Sequence, residues 1–493
     1  MKFLSLFAFI CVYLRPLLAA DDPAAQIEGE LKKIASVYAT VESESADPVP
    51  AATAIYQGAI PGMLRTLDPH SVFFDPDQFE QLQQMQHSES KGFGTVVSLL
   101  PGRVIVLQTL EGSPSAKAGL SAGDEILAIN TIPVRYLDID QLAQLLGEAR
   151  QREATLDVRK PGSERLVQVK MSPALLDAST VDRAYIVAPG IGHLRITSFE
   201  EPTGRLVQET IEKLGGKNLK GLIVDLRDNP GGAVQSAAET AALFLSQDQI
   251  IFSIAGRSAK PEQVTVPKDS KPYTFPVVVL INGKSASASE IVTGALQDHD
   301  RAVVLGESSF GKGLVQQVFP LSASSGLALT TAFYYTPSGR SIQKPLASGQ
   351  LGAATVVAPG PFRSDAGRPL PGGGGVQPDE IVYPAQQSRL QLVLDASGSI
   401  TSFAGEYLRT HTVGTAGDDV QVSSDMLDEL KVFLSEHSIQ PSVADWLSHR
   451  DWIASRLKQE ILTLKFGVAR GDEIELQRDP AVQTAIKKLR GAP

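Results

Sequence analysis

Three short apolar runs, GLIVDLR (221–227), PVVVLIN (276–282) and AVVLGE (302–307), constrain this chain more than any other feature. Each is rich in branched aliphatic residues and reads as a strand, the second of them as a buried one. IGHLRIT (191–197) reads as a further strand ahead of them. Helical patterns separate these strands: RLVQETIEKLG (205–215), AVQSAAETAALFL (233–245) and SASASEIVTGALQDH (285–299). Strands alternating with helices imply a mostly parallel, layered α/β core.

That core occupies only part of 493 residues, so several domains are expected. Residues 23–90 look helical: Ala54, Gly58, Ile60, Met63 and Leu64 form an amphipathic segment, and QFEQLQQMQ (78–86) continues it after a Pro-containing break at LDPHSVFF (67–74). From Gly92 the pattern turns to strands, GFGTVVSLL and RVIVLQTL. SPSAKAGL (113–120) then reads as a short helix with Ser113 as cap and Pro114 at its first position. LDIDQLAQLLGEA (137–149) is a longer helix with Ile139, Leu142, Leu145 and Leu146 on one face. The Pro/Gly-rich stretch 359–375 is expected to be an exposed loop. Beyond about 385 the chain is helical again, with Trp446, Ile453, Leu457, Ile461 and Leu464 at helical intervals.

The first twenty residues read as a secretory signal peptide: Met1 and Lys2, the apolar run FLSLFAFICVYL, Arg15, then PLLAA with cleavage near Ala20. The run is too short to span a membrane comfortably, and no later stretch approaches spanning length, so a soluble, exported protein is expected. The only cysteine, Cys11, lies in this leader. The remaining chain can therefore hold no disulfide, zinc–thiolate site or cysteine nucleophile. The full chain's formal charge of −10, without a basic cluster, argues against nucleic-acid binding.

The chemistry concentrates in NGKSASASEIVTGALQD (282–298) and GESSFGKGLVQQ (306–317). A strand ends at Asn282 and small residues run straight into a helix. A hydroxyl at such a turn is presented near a helix N-terminus, where N–H groups stabilise a developing oxyanion. Serine is a weak nucleophile and needs a base; Lys312, in a tight FGKG turn, serves only if burial lowers its pKa. Taken separately, a Ser/Ala-rich helix start is usually just a cap, and a lysine between glycines is usually a solvent-exposed turn residue. Spacing alone does not tell the pair from chance. None of the seven histidines lies in an HExxH pattern, and no GxSxG elbow occurs. His299 reads as a surface residue, roughly 18 Å from Ser287 along one helix at about 1.5 Å per residue. Arg227 between Asp225 and Asp228 points to an ion pair rather than a metal.

SASASE followed by FGKGLVQ resembles the signature of the carboxyl-terminal processing (tail-specific) peptidases, Ser/Lys serine peptidases with a PDZ domain. LDPHSVFF, YYTPSGRSIQ (334–343) and GVQPDEIVYP (375–384) resemble further landmarks of that family, so the likeness spans roughly residues 50–384. It implies Ser287 as nucleophile, Lys312 as general base and Gln316 as the residue that orients the lysine. It also implies an oxyanion hole from the N–H groups of Ala288 and of the glycine loop DLRDNPGG (225–232), with Gly232 preferred over Gly231. GFGT (92–95) and GSPSAKAGLSAGDEILAIN (112–130) resemble a PDZ domain, with Gly92, Phe93 and Gly94 forming the loop that captures a terminal carboxylate.

The expected fold is multidomain α+β: a signal peptide (1–20), an N-terminal helical region (21–90), a PDZ domain (91–172), a crotonase-like layered α/β peptidase core (180–384) and a C-terminal helical region (385–493). The expected activity is a serine endopeptidase cleaving proteins near apolar carboxyl-terminal tails, in a bacterial periplasm or cell envelope. No metal or organic cofactor is required, and a homodimer and an adaptor or activator are possible partners. Two rivals stand beside it: a catalytically silent PDZ scaffold and a Ser-His-Asp hydrolase of small esters.

Overall fold

The computed structural model describes residues 23–491, apart from 48, 77, 80–90, 162, 164, 177–178, 258–260, 323–324, 346–360 and 415–419. The expected leader and most of the helix expected over 78–86 lie outside the described residues.

The alternating apolar runs form one six-stranded sheet. Its order is β1 (Val181–Ala188), β2 (Ile191–Ile196), β3 (Gly221–Asp225), β4 (Val277–Ile281), β5 (Ala302–Gly306), then the short strand Glu380–Ile381. Only the β1–β2 pair is antiparallel. Side chains alternate across it. Leu222 and Val224 of β3 and Val277, Val279 and Ile281 of β4 share a core with helices α1 (Thr203–Leu214), α2 (Val234–Ala242) and α3 (Ala288–Asp298). The residues between them, Ile223, Val278 and Leu280, face the other way, with Leu305 of β5. They meet Leu476, Val482, Ile486 and Leu489 of the helices Val468–Arg478 and Pro480–Gly491. Each such side chain removed from water contributes about 1.5–3 kcal/mol, so both coats are needed.

The expected C-terminal helical region therefore splits in two. Helices between Arg389 and Phe466 build their own core around Leu394, Phe403, Leu430, Trp446, Leu457 and Ile461. The last two helices instead cover the six-stranded sheet. The Pro/Gly-rich stretch also departs from expectation. Phe362–Arg363 pairs with Pro369–Leu370, Leu370 is buried, and the Asp365 N–H donates to Asp298 O at the end of α3. Its prolines and glycines make a docked hairpin, not a free loop.

After β5 the chain makes a long antiparallel ribbon, β6 (Leu314–Ser322) and β7 (Ser325–Tyr335). The strand Val72–Phe74 and the strand Ile250–Ala255 both pair with β7. The N-terminal region reaches that strand through the helix Pro23–Glu44, a π-helical turn at Thr53–Ala59 and the helix Ile60–Arg65.

Between these parts lies a separate sheet of strands Thr95–Leu100, Arg103–Thr109, Glu125–Ile129, Ala154–Arg159 and Leu166–Met171. Its core contains Val104, Val106, Ile126, Ile129, Leu156 and Val158 packed on Leu142 and Leu145 of the helix Ile139–Ala149. Asp138 and Gln141 close a capping box at that helix start. Ser113 caps the short helix Pro114–Lys117 as the sequence suggests. The incoming segment Lys91–Gly92 pairs antiparallel with the outgoing segment Ala174–Leu175.

Candidate active site

The end of β4 and the start of α3 are shaped by three serines with different fates. Ser285 Oγ donates to Leu226 O at 2.7 Å, and Ser289 Oγ donates to Asn229 O at 3.1 Å. Both residues are fully buried, their hydroxyls engaged in holding this elbow to the loop after β3. Ser287 alone is partly exposed. Its backbone sits at φ 54°, ψ −113°, a conformation that costs a residue with a side chain roughly 1–3 kcal/mol. The strain is held by neighbours: the Ala286 N–H donates to Asn229 O at 3.0 Å and the Ser287 N–H to Glu290 Oε2 at 2.8 Å.

Glu290 is fully buried and accepts four hydrogen bonds. Oε2 takes the amides of Ser287 (2.8 Å) and Lys312 (2.9 Å); Oε1 takes Ser309 Oγ (2.5 Å) and the Gly311 amide (2.7 Å). One oxygen thus ties the backbone of Ser287 to the backbone of Lys312. Burial pushes this carboxyl above the ordinary glutamate range, against the four donors, which favour the ionised form.

The glycines beside Lys312 are not those of a solvent-exposed turn. A Cβ on Gly311 (φ 90°) would meet Lys344 Cγ at 2.5 Å, and one on Gly313 would meet the Gln343 N at 2.9 Å. The segment packs backbone to backbone on 342–344, and Lys312 itself is half-buried. Four residues on, a bulge between Val315 and Gln316 interrupts the ribbon and redirects the side chain. Gln316 Nε2 donates to His70 O at 2.7 Å. The His70 imidazole has its pKa lowered by burial and then by the charge of Lys312, so His70 and Lys312 are neighbours.

The glycine loop approaches from the other side. A Cβ on Gly231 (φ 100°) would stand 2.8 Å from Ser287 Cβ and 2.9 Å from the Ala288 N. One on Gly232 (φ 138°) would meet Phe199 O at 2.0 Å. Only glycine fits either position. The Gly231 amide donates to Asn229 Oδ1 at 2.8 Å.

The structure thus brings Ser287, Ala288, Gly231, Gly232 and the Lys312 backbone together, with Gln316 held on the adjoining ribbon. Gly92, Phe93 and Gly94 lie apart from this site: Gly92 is in the two-stranded pair with Ala174–Leu175, and Phe93 and Gly94 lead from it into the strand Thr95–Leu100 of the other sheet. Phe93 is buried in that sheet's core, its carbonyl taking the Ser115 amide at 2.9 Å. Gly94 (φ 72°) lies so close to Ser113 that a Cβ would be 2.3 Å from Ser113 Cβ.

Histidine placement separates the rival chemistries. His299 is not a surface residue: its ring nitrogens pair with Asp365 Oδ2 (2.8 Å) and Ile250 O (2.7 Å), at the far end of α3 from Ser287. The reason is the docked hairpin, which covers it. His193, fully buried, stands 3.5 Å from Asp225 but pairs across the sheet with Ile223, on the face away from α3. Asp225 does form the expected ion pair with Arg227 (2.6 Å); against burial, which raises it, His193 and Arg227 together hold its carboxyl well below the usual range.

Sequence reading missed Glu290 and Asn229. For Glu290 a signal existed: Ser287-x-x-Glu290 has the spacing of a capping box. For Asn229 there was none: beyond its local bonds to Leu226 and Gly231, the partners that give it its role, Ile196, Ala286 and Ser289, lie 33, 57 and 60 positions away.

Residues 190–349 match the family model of Peptidase family S41, and residues 105–160 match that of a PDZ domain. The chain is a protease that carries a PDZ domain. The carboxy-terminal-processing protease of Bartonella bacilliformis is 35% identical over 318 residues, 64% of this chain and 73% of that one. The carboxy-terminal processing protease CtpB of Bacillus subtilis is 31% identical over 337 residues, 67% of this chain and 70% of that one. The chain belongs to the carboxyl-terminal processing protease family. Among solved structures, a photosystem II D1 C-terminal processing protease aligns at 25% identity over 71% of this chain and 86% of its own, with a TM-score of 0.42.

Proposed function

We propose that this protease cuts proteins near their carboxyl-terminal tails through an acyl-enzyme on Ser287, with Lys312 as general base. The observation that carries this is the Glu290 carboxylate, which ties the Ser287 amide to the Lys312 amide beside the one partly exposed serine of the elbow. Ser287 Oγ attacks the scissile carbonyl while neutral Lys312 takes its proton. The carbonyl oxygen becomes an oxyanion held by the N–H groups of Ala288 and Gly232; Asn229 already occupies the Gly231 amide. Collapse expels the amine, which receives the proton from Lys312. Water then hydrolyses the Ser287 ester, Lys312 again serving as base. Gln316 orients the lysine.

In this reading residues 91–172 capture an apolar tail by strand addition at the Gly92–Phe93–Gly94 loop, and residues 180–384 hold the cutting site. Residues 1–20 direct export to a bacterial periplasm or envelope. A homodimer and an activating partner belong to the same proposal. No helix of the described residues is long and apolar enough to cross a membrane.

The test is cleavage of an unfolded protein with an apolar carboxyl-terminal tail by wild type, Ser287→Ala and Lys312→Ala. Loss of cleavage by at least about a thousandfold in both variants, with folding intact, is expected. Turnover that survives Lys312→Ala but not a histidine substitution supports the Ser-His-Asp rival. A wild type that binds tails and never cuts supports the scaffold.

A further inference from the structure

We infer that Asp68 is a positioning residue of this peptidase, acting through the Gln316 side chain. The inference rests on the reading of Gln316 as the group that orients Lys312, and it says what orients Gln316.

Asp68 is buried, and its carboxylate is engaged inside its own turn. Oδ1 accepts the amides of His70 (2.7 Å) and Ser71 (2.8 Å); Oδ2 accepts Ser71 Oγ (2.7 Å). Those bonds fix the direction of the His70 carbonyl. Ser71 Oγ in turn accepts the Thr330 amide of β7 at 3.2 Å, and the next residues, Val72–Phe74, pair with β7. Thr330 is the cross-strand partner of Gln316. The turn is therefore clamped to the strand that faces the glutamine.

The His70 carbonyl is what Gln316 meets, Nε2 donating to it at 2.7 Å. A carbonyl accepts only from the NH₂ end of an amide, so this bond decides which end of the Gln316 side chain points where. With Nε2 committed to His70, Oε1 is the atom the side chain offers to a donor, and Lys312 Nζ is a donor in either protonation state. The reverse orientation would turn the amide's NH₂ toward the lysine. Lys312 belongs to the same neighbourhood, since its charge acts on the His70 imidazole. A carboxylate 248 positions upstream of Gln316 in the chain thus sets the rotamer on which the base depends.

A positioning role predicts a loss confined to turnover. In the full-length protein, Asp68→Ala is expected to lower kcat on the tailed unfolded substrate by about tenfold or more, the scale of a small misplacement at a reacting group, with KM unchanged. Asp68→Asn retains an oxygen for the two amides and recovers most of that loss. The double variant Asp68→Ala/Gln316→Ala is no slower than Gln316→Ala alone. If Asp68→Ala does not fold, Ser71→Ala, which cuts the link to Thr330, is judged by the same three readings. The inference is overturned if kcat is unchanged while Gln316→Ala is slow, if the losses multiply in the double variant, or if the loss matches a lowered folded fraction. If Gln316→Ala or Lys312→Ala is itself fully active, it is the assignment of those residues that fails.

Discussion

Glu290 does more than cap a helix. Its four donors come from three places in the chain: the elbow at Ser287, the Ser309 hydroxyl and the FGKG turn. Glu290→Gln places an NH₂ group against at least one pair of those donors. Leaving buried donors unpaired costs about 1–3 kcal/mol. The expected result is a lower unfolding temperature together with a drop of at least about tenfold in kcat, read by calorimetry and by cleavage of the tailed substrate. A variant that loses stability but keeps full turnover contradicts the link between the two segments. At this scale the sequence was half legible. Small residues between strand and helix, and glycines flanking a lysine, announced both segments. That Ser285 and Ser289 are structural while Ser287 is partly exposed depends on contacts with 226–229, which no local pattern encodes.

Among elements, the apolar runs of β3, β4 and β5 were readable because a strand covered on both faces has no polar alternation. What covers the second face was not. The helices Val468–Arg478 and Pro480–Gly491 carry the same amphipathic pattern as those before them, and a pattern holds no address. Their docking buries charge beside β1. Asp472 lies against Arg183 (3.2 Å), near Glu475, Arg195 and Asp182, and burial, the largest influence, raises its pKa to about 6. In the unfolded chain an aspartate titrates near 3.9, about two units lower. Between those values the folded protein keeps a proton that the unfolded chain has lost. This group's contribution to stability therefore falls as pH rises from about 4 to about 6, and stays low above. Asp472→Asn removes the titration. It is expected to unfold at a higher temperature than wild type above pH 6, with the difference disappearing below pH 4; a pH-independent difference would contradict it.

In the whole molecule, the PDZ sheet meets the C-terminal helices through the Leu100 side chain, packed on Gly398, and through several polar contacts. Arg103 Nη2 donates to Ser402 Oγ (2.9 Å) and Nη1 to Ser397 O (3.3 Å), while Gln108 Oε1 accepts the Val468 amide (2.9 Å). Partly exposed polar contacts of this kind each hold a domain with little energy. Arg103→Ala combined with Gln108→Ala is expected to leave the unfolding temperature within a few degrees of wild type while enlarging the mean dimension in solution scattering. An unchanged scattering profile would show that other contacts fix the domain. Both attachments were invisible in the sequence, because a polar residue on a strand's outer face reads the same whether it meets water or a neighbour.

The pairing of Lys91–Gly92 with Ala174–Leu175 has a bearing on how such a chain came to be assembled. The polypeptide leaves the PDZ domain at the place where it enters, one strand's width away. A unit with adjoining termini can be excised or exchanged without moving the ends of its host. The PDZ domain thus has the geometry of a cassette, gained or replaced in one event, while the peptidase around it keeps its register.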